Sequence, residues 1–439
     1  MSELVRLAGL QMVADYDHTI FYANALNGPA VVRELGLKYS GREILQDLRI
    51  EVQVTSLGDD ISFPFVQRIP LLQPELRIPL RMHWNAANLM KLLEEQPGEI
   101  KVAIHENETL LHEQVFPIQV ATPSHWLRQS QASLVSLAAF VQPNHPSLQP
   151  VLQKAAELLT ARGHSAAFSG YQSMEHVPHM VEALWDAVQS FGLIYSDPPA
   201  SWDTPGQKIR NAQQILESKF ATCLDTTILF ASLLENVGLV PVVAIAPGHA
   251  WVGFWLVPEV EMEGVPVKTT INQLQDVVLY TDTENPLLVF LESTKLCVDG
   301  AAVTFAESLA TGRRNVSGYA FGELAAHANM VDIYNARSFR ASDRVIPMPA
   351  RFERPDGTVE VHEYKPAEFT YNMLVDRLSQ ELKNKGRSAN VLETQVPPRL
   401  KLWLDSLLDL SMRNPLINFR NPRTSLQIIM APGLTAALE

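Results

Sequence analysis

Thr222-Cys223-Leu224-Asp225-Thr226-Thr227-Ile228-Leu229-Phe230-Ala231-Ser232-Leu233-Leu234 opens on a hydroxyl residue, turns apolar and runs to a stop at Gly238. That pattern predicts a helix buried on most sides, with Thr222 as its N-cap and Cys223 at the first helical position. Unpaired backbone N–H groups and the positive end of the macrodipole favour thiolate over thiol at such a position. The same N–H groups can stabilise an oxyanion formed by attack on a carbonyl. Cysteine is also a small hydrophobe that cores use freely, so position alone does not make Cys223 a nucleophile.

Reading on from this helix, Val237 to Pro258 carries no charge apart from His249 and is long enough to cross a bilayer. Pro241, Pro247 and Gly248 interrupt it, however, and Val242–Ile245 and Val252–Leu256 read better as a buried antiparallel pair around a turn. Along the second strand His249, Trp251, Gly253 and Trp255 share one face, which carries His249 beside the start of a neighbouring helix. An imidazole in that place needs an acceptor to orient it. Leu287-Leu288-Val289-Phe290-Leu291-Glu292-Ser293-Thr294 offers Glu292, a carboxylate at the end of an apolar run. Asp282 and Asp299 are the alternative acids, and Glu292 by itself fits a pair with a buried arginine equally well.

Composition frames these residues. The chain has 439 residues, 46% of them hydrophobic and 19% charged, enough for about three domains of ordinary globular material. Two cysteines leave little for a disulfide framework or zinc cluster and fit a reducing cytoplasm. No secretory signal follows Met1, and a cytoplasmic protein without a membrane span is expected. The net charge of −13 excludes a nucleic-acid-binding surface over the whole molecule, though not a local basic patch.

An α+β chain is expected. Leu48-Arg49-Ile50-Glu51-Val52-Gln53-Val54 alternates with period two, and with Ile100–Ile104 and Val115–Val120 it predicts a β-sandwich over residues 1–125. Within that part only Asn85 to Leu93 suggests a helical turn. Beyond Pro123 the period becomes helical, in Pro146 to Gly163 and in the stripe Met174, Val177, Val181, Leu184, Trp185, Val188, Phe191. A helical lead-in over 140–195 and a core over 200–365 would make one domain of 126–382, with Gly312 to Tyr364 completing it and Arg354-Pro355-Asp356-Gly357-Thr358 turning a hairpin. A polar linker at 383–398 and a helical segment at 399–439 follow. Cys297 reads as a structural strand thiol. His176 and His179, spaced i, i+3, lack a third ligand nearby in sequence, so no metal and no cofactor are expected.

The order Thr222-Cys223-Leu224-Asp225, Gly248-His249-Ala250-Trp251, Leu291-Glu292-Ser293-Thr294 resembles the transglutaminase-like branch of the papain-like cysteine proteases. In that family a helix-start Cys, a strand His and a strand Asp form the triad. The resemblance implies Cys223 as nucleophile, His249 as base and Glu292 in place of the usual Asp, with Glu259 to Asp282 as an insertion. It also implies an oxyanion site at the Cys223 N–H with Gln207, and a substrate pocket around Trp251, Thr222 and Tyr195.

Gln207-Lys208-Ile209-Arg210 and the run Trp403-Leu404-Asp405-Ser406-Leu407-Leu408-Asp409-Leu410-Ser411-Met412-Arg413-Asn414-Pro415-Leu416-Ile417-Asn418-Phe419-Arg420 resemble very large bacterial proteins. There an uncharacterised domain precedes a superfamily 1 helicase and often a terminal nuclease, and some members are linked to anti-phage defence. No Gly-x-x-x-x-Gly-Lys-Ser/Thr loop occurs here, so the chain is expected to be a leading segment rather than the motor. Between Arg377 and Arg423 nine Lys or Arg face four Asp or Glu, which reads as a nucleic-acid contact or equally as a solvated helix face. The expected function is a thiol hydrolase or protease acting on a protein or peptide, with water or an amine as acyl acceptor. The other reading is a non-catalytic sensing or regulatory module that controls the downstream helicase and nuclease domains.

Overall fold

The computed structural model describes residues 9–365, apart from 43, 108, 129–130, 173, 198–205, 258–260, 263–264, 267–270, 282–285, 299–301, 324 and 339–344. The expected linker at 383–398, the segment from 399 with its Trp403 to Arg420 motif, and the alternative acids Asp282 and Asp299 lie outside the described residues. The described residues belong to one compact unit, Met1–Asn372.

Mixed helices and strands make the chain α+β. In the leader, strand Gln46–Ser56 buries Leu48, Ile50, Val52 and Val54 and turns the residues between them outward, as its period-two sequence requires. It pairs antiparallel with Gln96–Glu106 and Phe65–Leu71 in a six-stranded sheet that also holds Thr109–Val120. Leu10–Tyr16, Val32–Tyr39 and Glu75–Pro79 form a separate three-stranded sheet. Helix Ala86–Met90 is capped by the Asn85 side chain. A second short helix, Tyr22–Asn27, had no sequence signal. It buries Tyr22, Ala23 and Asn24, and Asn24 donates to Leu127 O at 3.3 Å, so tertiary packing holds it rather than an amphipathic stripe.

Past the leader, helices Gln149–Ala161 and Val177–Gln189 bury the expected apolar stripes. A five-stranded antiparallel sheet follows, in the order Ile271–Gln273, Asn329–Asp332, Pro241–Ala246, His249–Trp255, Leu288–Leu291. Its two central strands are the hairpin foreseen between Val237 and Pro258. The segment expected as an insertion contributes the edge strand Ile271–Gln273 and helix Leu274–Thr281. Helix Cys223–Asn236 packs on the two central strands and is buried from Cys223 to Glu235, which accounts for its nearly unbroken apolar sequence.

One expectation is corrected here. Cys297 is not in a regular strand; it ends the 3-10 turn Ser293–Leu296 and makes one isolated bridge to Leu193. Gly312 lies inside helix Phe305–Phe321, whose start is capped reciprocally by Thr304 and Glu307. A Cβ on Gly312 would stand 2.3 Å from Phe290 O, so only glycine lets this helix lie backbone to backbone on strand Leu288–Leu291. The expected hairpin is present as Ala350–Glu353 paired with Val359–His362.

Candidate active site

The start of the Cys223 helix is fixed from two directions. Thr222 Oγ1 accepts from Asp225 N at 3.2 Å while Asp225 Oδ2 accepts from Thr222 N at 3.0 Å, a capping box that takes up two of the helix's orphan donors. Asp225 is fully buried, and its charge is met by Arg210, which donates from Nη1 to Oδ2 and from the backbone N to Oδ1, both at 2.7 Å. The Gln207–Arg210 stretch is thereby tied to the first helical turn. Cys223 opens the helix at 7% exposure, and its carbonyl accepts from Thr226 Oγ1 at 2.9 Å and Thr227 Oγ1 at 2.7 Å.

His249 begins its strand directly after the Pro247-Gly248 turn, where Gly248 takes φ +77°. Its Nε2 donates to Glu292 Oε2 at 2.8 Å, and Cys223 stands near enough for its sulfur to act on the titration of the ring. With Nε2 engaged by the carboxylate, Nδ1 is the nitrogen left for sulfur. Burial works to lower the imidazole pKa, but the hydrogen bonds and negative charges of Cys223 and Glu292 prevail and raise it to about 9.

Glu292 is held at both oxygens. Oε1 accepts from Thr294 N at 3.0 Å and Thr294 Oγ1 at 2.7 Å, and Oε2 accepts from Asn315 Nδ2 at 2.5 Å as well as from His249. Burial opposes its charge, yet the donors from His249 and Thr294 hold the carboxyl below its usual range. Neighbouring Ser293 closes the circuit, its hydroxyl 2.8 Å from Thr227 Oγ1 on the Cys223 helix. The Ser293–Leu296 turn that carries Glu292 is therefore joined to the helix that carries the thiol.

The remaining expected residues fall into three groups. Tyr195, 37% exposed, stands near Cys223, and burial followed by the charge of Cys223 pushes its phenol up to about 12. Thr222 and Trp251 were expected in the pocket wall, but Thr222 is buried with its hydroxyl spent on the cap, and Trp251 is fully buried. The indole lies in a stack instead, its ring centroid 5.5 Å from His249 and 5.3 Å from Tyr319. Gln207 sits in a two-residue strand paired with Trp126, and no described contact joins its side chain to Cys223.

Asn315 and Tyr319 were missed. Both lie on helix Phe305–Phe321, and nothing in the spacing of Arg313-Arg314-Asn315-Val316 marks them. Gly312 was the available signal, because a glycine inside a helix invites the question of what approaches it.

His176 and His179 gain a third ring, His164, stacked on His179 with centroids 3.8 Å apart. Among the described residues no group of three or more His, Cys, Asp or Glu is placed to hold a metal ion, and no helix is long and apolar enough to cross a membrane.

No family model matches the chain, and no curated protein matches it. Among solved structures, a solution structure of an Arabidopsis thaliana protein is 12% identical over 27% of this chain and 83% of its own, with a TM-score of 0.17. A family 76 glycoside hydrolase from a bovine Bacteroides thetaiotaomicron strain is 10% identical over 43% of this chain and 40% of its own, with a TM-score of 0.15. Scores this low carry no argument about function.

Proposed function

We propose that the chain holds a thiol acyl-transfer site of the papain-like, transglutaminase-like kind, in which Cys223 is the nucleophile, His249 the base and Glu292 the residue that orients the imidazole. One observation carries this reading: His249 bonds the Glu292 carboxylate through Nε2 at 2.8 Å, with Cys223 at the helix start beside the imidazole. The raised imidazole pKa supports it, since a proton taken from sulfur is then retained beside the thiolate.

In the proposed cycle His249 accepts the thiol proton and sulfur attacks an amide carbonyl carbon, forming the C–S bond and an oxyanion that faces the free N–H groups of the helix start. Collapse breaks the C–N bond, and the imidazolium gives its proton to the departing amine. Water or a second amine then attacks the thioester, His249 takes the proton from this acceptor, and the C–S bond breaks to return the thiolate. Trp251 serves beneath the imidazole, where its face favours the cation. Asn315 serves by holding Glu292. A protein or peptide is the proposed substrate. The proposed setting, ahead of helicase and nuclease domains of a bacterial defence protein, rests on the Gln207–Arg210 and Trp403–Arg420 resemblances.

The test is the rate of Cys223 alkylation by iodoacetamide from pH 5 to 9, with free cysteine alongside. Catalytic pairing predicts that Cys223 still reacts at pH 6, where an ordinary thiol is almost wholly protonated, and that His249→Ala removes this low-pH reaction. A Cys223 that follows the free-thiol profile and ignores His249→Ala would sink the proposal. A second reading, a binding module without acyl transfer, is favoured by the near-complete burial of Cys223. It predicts no reaction at pH 6 together with saturable peptide binding.

A further inference from the structure

A second concave site opens on the other side of the Gln207–Arg210 stretch, and none of Cys223, His249, Glu292 or Tyr195 lines it. The cleft is open to solvent and has a cavity volume of about 140 Å³, small beside an enclosed drug-sized site and suited to a small ligand. Three separate parts of the chain build it: Leu92 and Leu93 from the strand-rich leader, Lys208 and Arg210 from the stretch before the Cys223 helix, and Met348 and Arg351 near the terminal hairpin.

Its charge runs against that of the molecule. The chain has 48 acidic and 35 basic residues, yet Lys208, Arg210 and Arg351 line the cleft and no Asp or Glu does. Arg210 is committed to Asp225. Among the described residues the side chains of Lys208 and Arg351 have neither an ion pair nor a hydrogen bond, so two cations face the cleft uncompensated. His125, opposite Lys208 in the strand pair, is pushed toward the neutral imidazole by burial and then by the Lys208 charge, and so offers no competing positive site.

The mount of Arg351 is rigid, since its carbonyl accepts from Asn211 Nδ2 at 3.4 Å and lies 3.1 Å from His145 Nε2. Gln142 Nε2 likewise donates to Pro349 O at 3.0 Å. Beside these cations Leu92, Leu93 and Met348 give the wall an apolar part, and Leu93 stands 71% exposed.

We propose that this cleft binds an amphipathic organic anion, its phosphate or carboxylate head on Lys208 and Arg351 and its hydrocarbon part on Leu92, Leu93 and Met348. A charge-assisted head contact and a short apolar tail are what these two kinds of wall can each satisfy. The proposal goes beyond the thiol site and does not depend on it, so Cys223→Ala is expected to bind as the wild type does.

The experiment is isothermal titration calorimetry on the full chain with octyl phosphate and octanoate below their micelle concentrations, and with octyl glucoside and inorganic phosphate as controls. Saturable binding of either octyl anion supports the proposal, and the preferred one identifies the head group. Octyl glucoside and inorganic phosphate should bind at least about 10-fold more weakly, each lacking one half of the recognition. Lys208→Ala/Arg351→Ala should weaken the octyl anion at least about 10-fold. Should that double variant unfold, Leu93→Asp, at an exposed position, puts a like charge at the rim and should produce the same loss. Absence of saturable binding, equal binding of octyl glucoside, or unchanged affinity in Leu93→Asp each overturns it.

Discussion

Cys223 and Cys297 are equally buried, 7% exposed each, and lie within reach of the same buried Asp225 region, yet their surroundings separate them. Cys297 has burial and the Asp225 charge against it, and its thiol is pushed up to about 12. Cys223 opens a helix, and an imidazole and a phenol stand near enough for its sulfur to act on their titration. Burial is the same for the two, so on the proposed reading it is the groups around the sulfur that would set their reactivity apart.

The sharpest way to break this comparison is to remove each sulfur in turn. Cys223→Ala should abolish iodoacetamide incorporation at neutral pH, read by intact-mass spectrometry, while Cys297→Ala should leave incorporation at the wild-type level. If both single variants still label, the two thiols are alike and the contrast is wrong. Removing the base comes next: His249→Ala should slow Cys223 alkylation at pH 6 by about 100-fold, the scale expected when a paired base is lost, and leave Cys297 unlabelled.

Much of this corner was legible because it depends on local rules. Thr222 before an apolar run fixed the helix start, the Pro247-Gly248 pair fixed the hairpin, and a carboxylate ending an apolar strand marked Glu292. What was not legible came from residues distant in sequence. Asn315 and Tyr319 reach the site only because Gly312 lets their helix touch strand Leu288–Leu291, an approach that no periodicity encodes. Trp251 was misplaced for a related reason. Sharing a strand face with His249 shows that the two are neighbours, but not that the face is covered by Tyr319.

Gly312→Ala tests that contact. The added methyl collides with the Phe290 carbonyl, and relief requires helix Phe305–Phe321 to move, at a cost of about 1–3 kcal/mol by comparison with other overpacked sites. A lowered urea midpoint together with slower Cys223 alkylation is expected. A lowered midpoint with an unchanged alkylation rate would mean that the helix does not position Glu292. Asn315→Ala removes one of four donors to the carboxylate without moving the backbone, and should slow alkylation by less than about 10-fold, in keeping with loss of one charge-assisted hydrogen bond.

The smallest expected effect is a pH dependence of stability. His249 is raised from 6.5 to about 9, so its contribution is complete below pH 6.5 and is lost as pH rises through about 9. Glu292 is lowered from 4.5, so its contribution is complete above pH 4.5 and is lost as pH falls below that value. The stability that wild type holds over Glu292→Gln should therefore be greatest between pH 4.5 and 6.5 and shrink toward pH 9. Cys297 also titrates differently in the folded state, its contribution fading as pH rises above 9, but it is common to both proteins and cancels in the difference. Urea unfolding of the pair at pH 5.5, 7.5 and 9.5 measures this, and a difference constant across the three would mean that the folded imidazole carries no extra proton and that Glu292 acts on His249 by position alone.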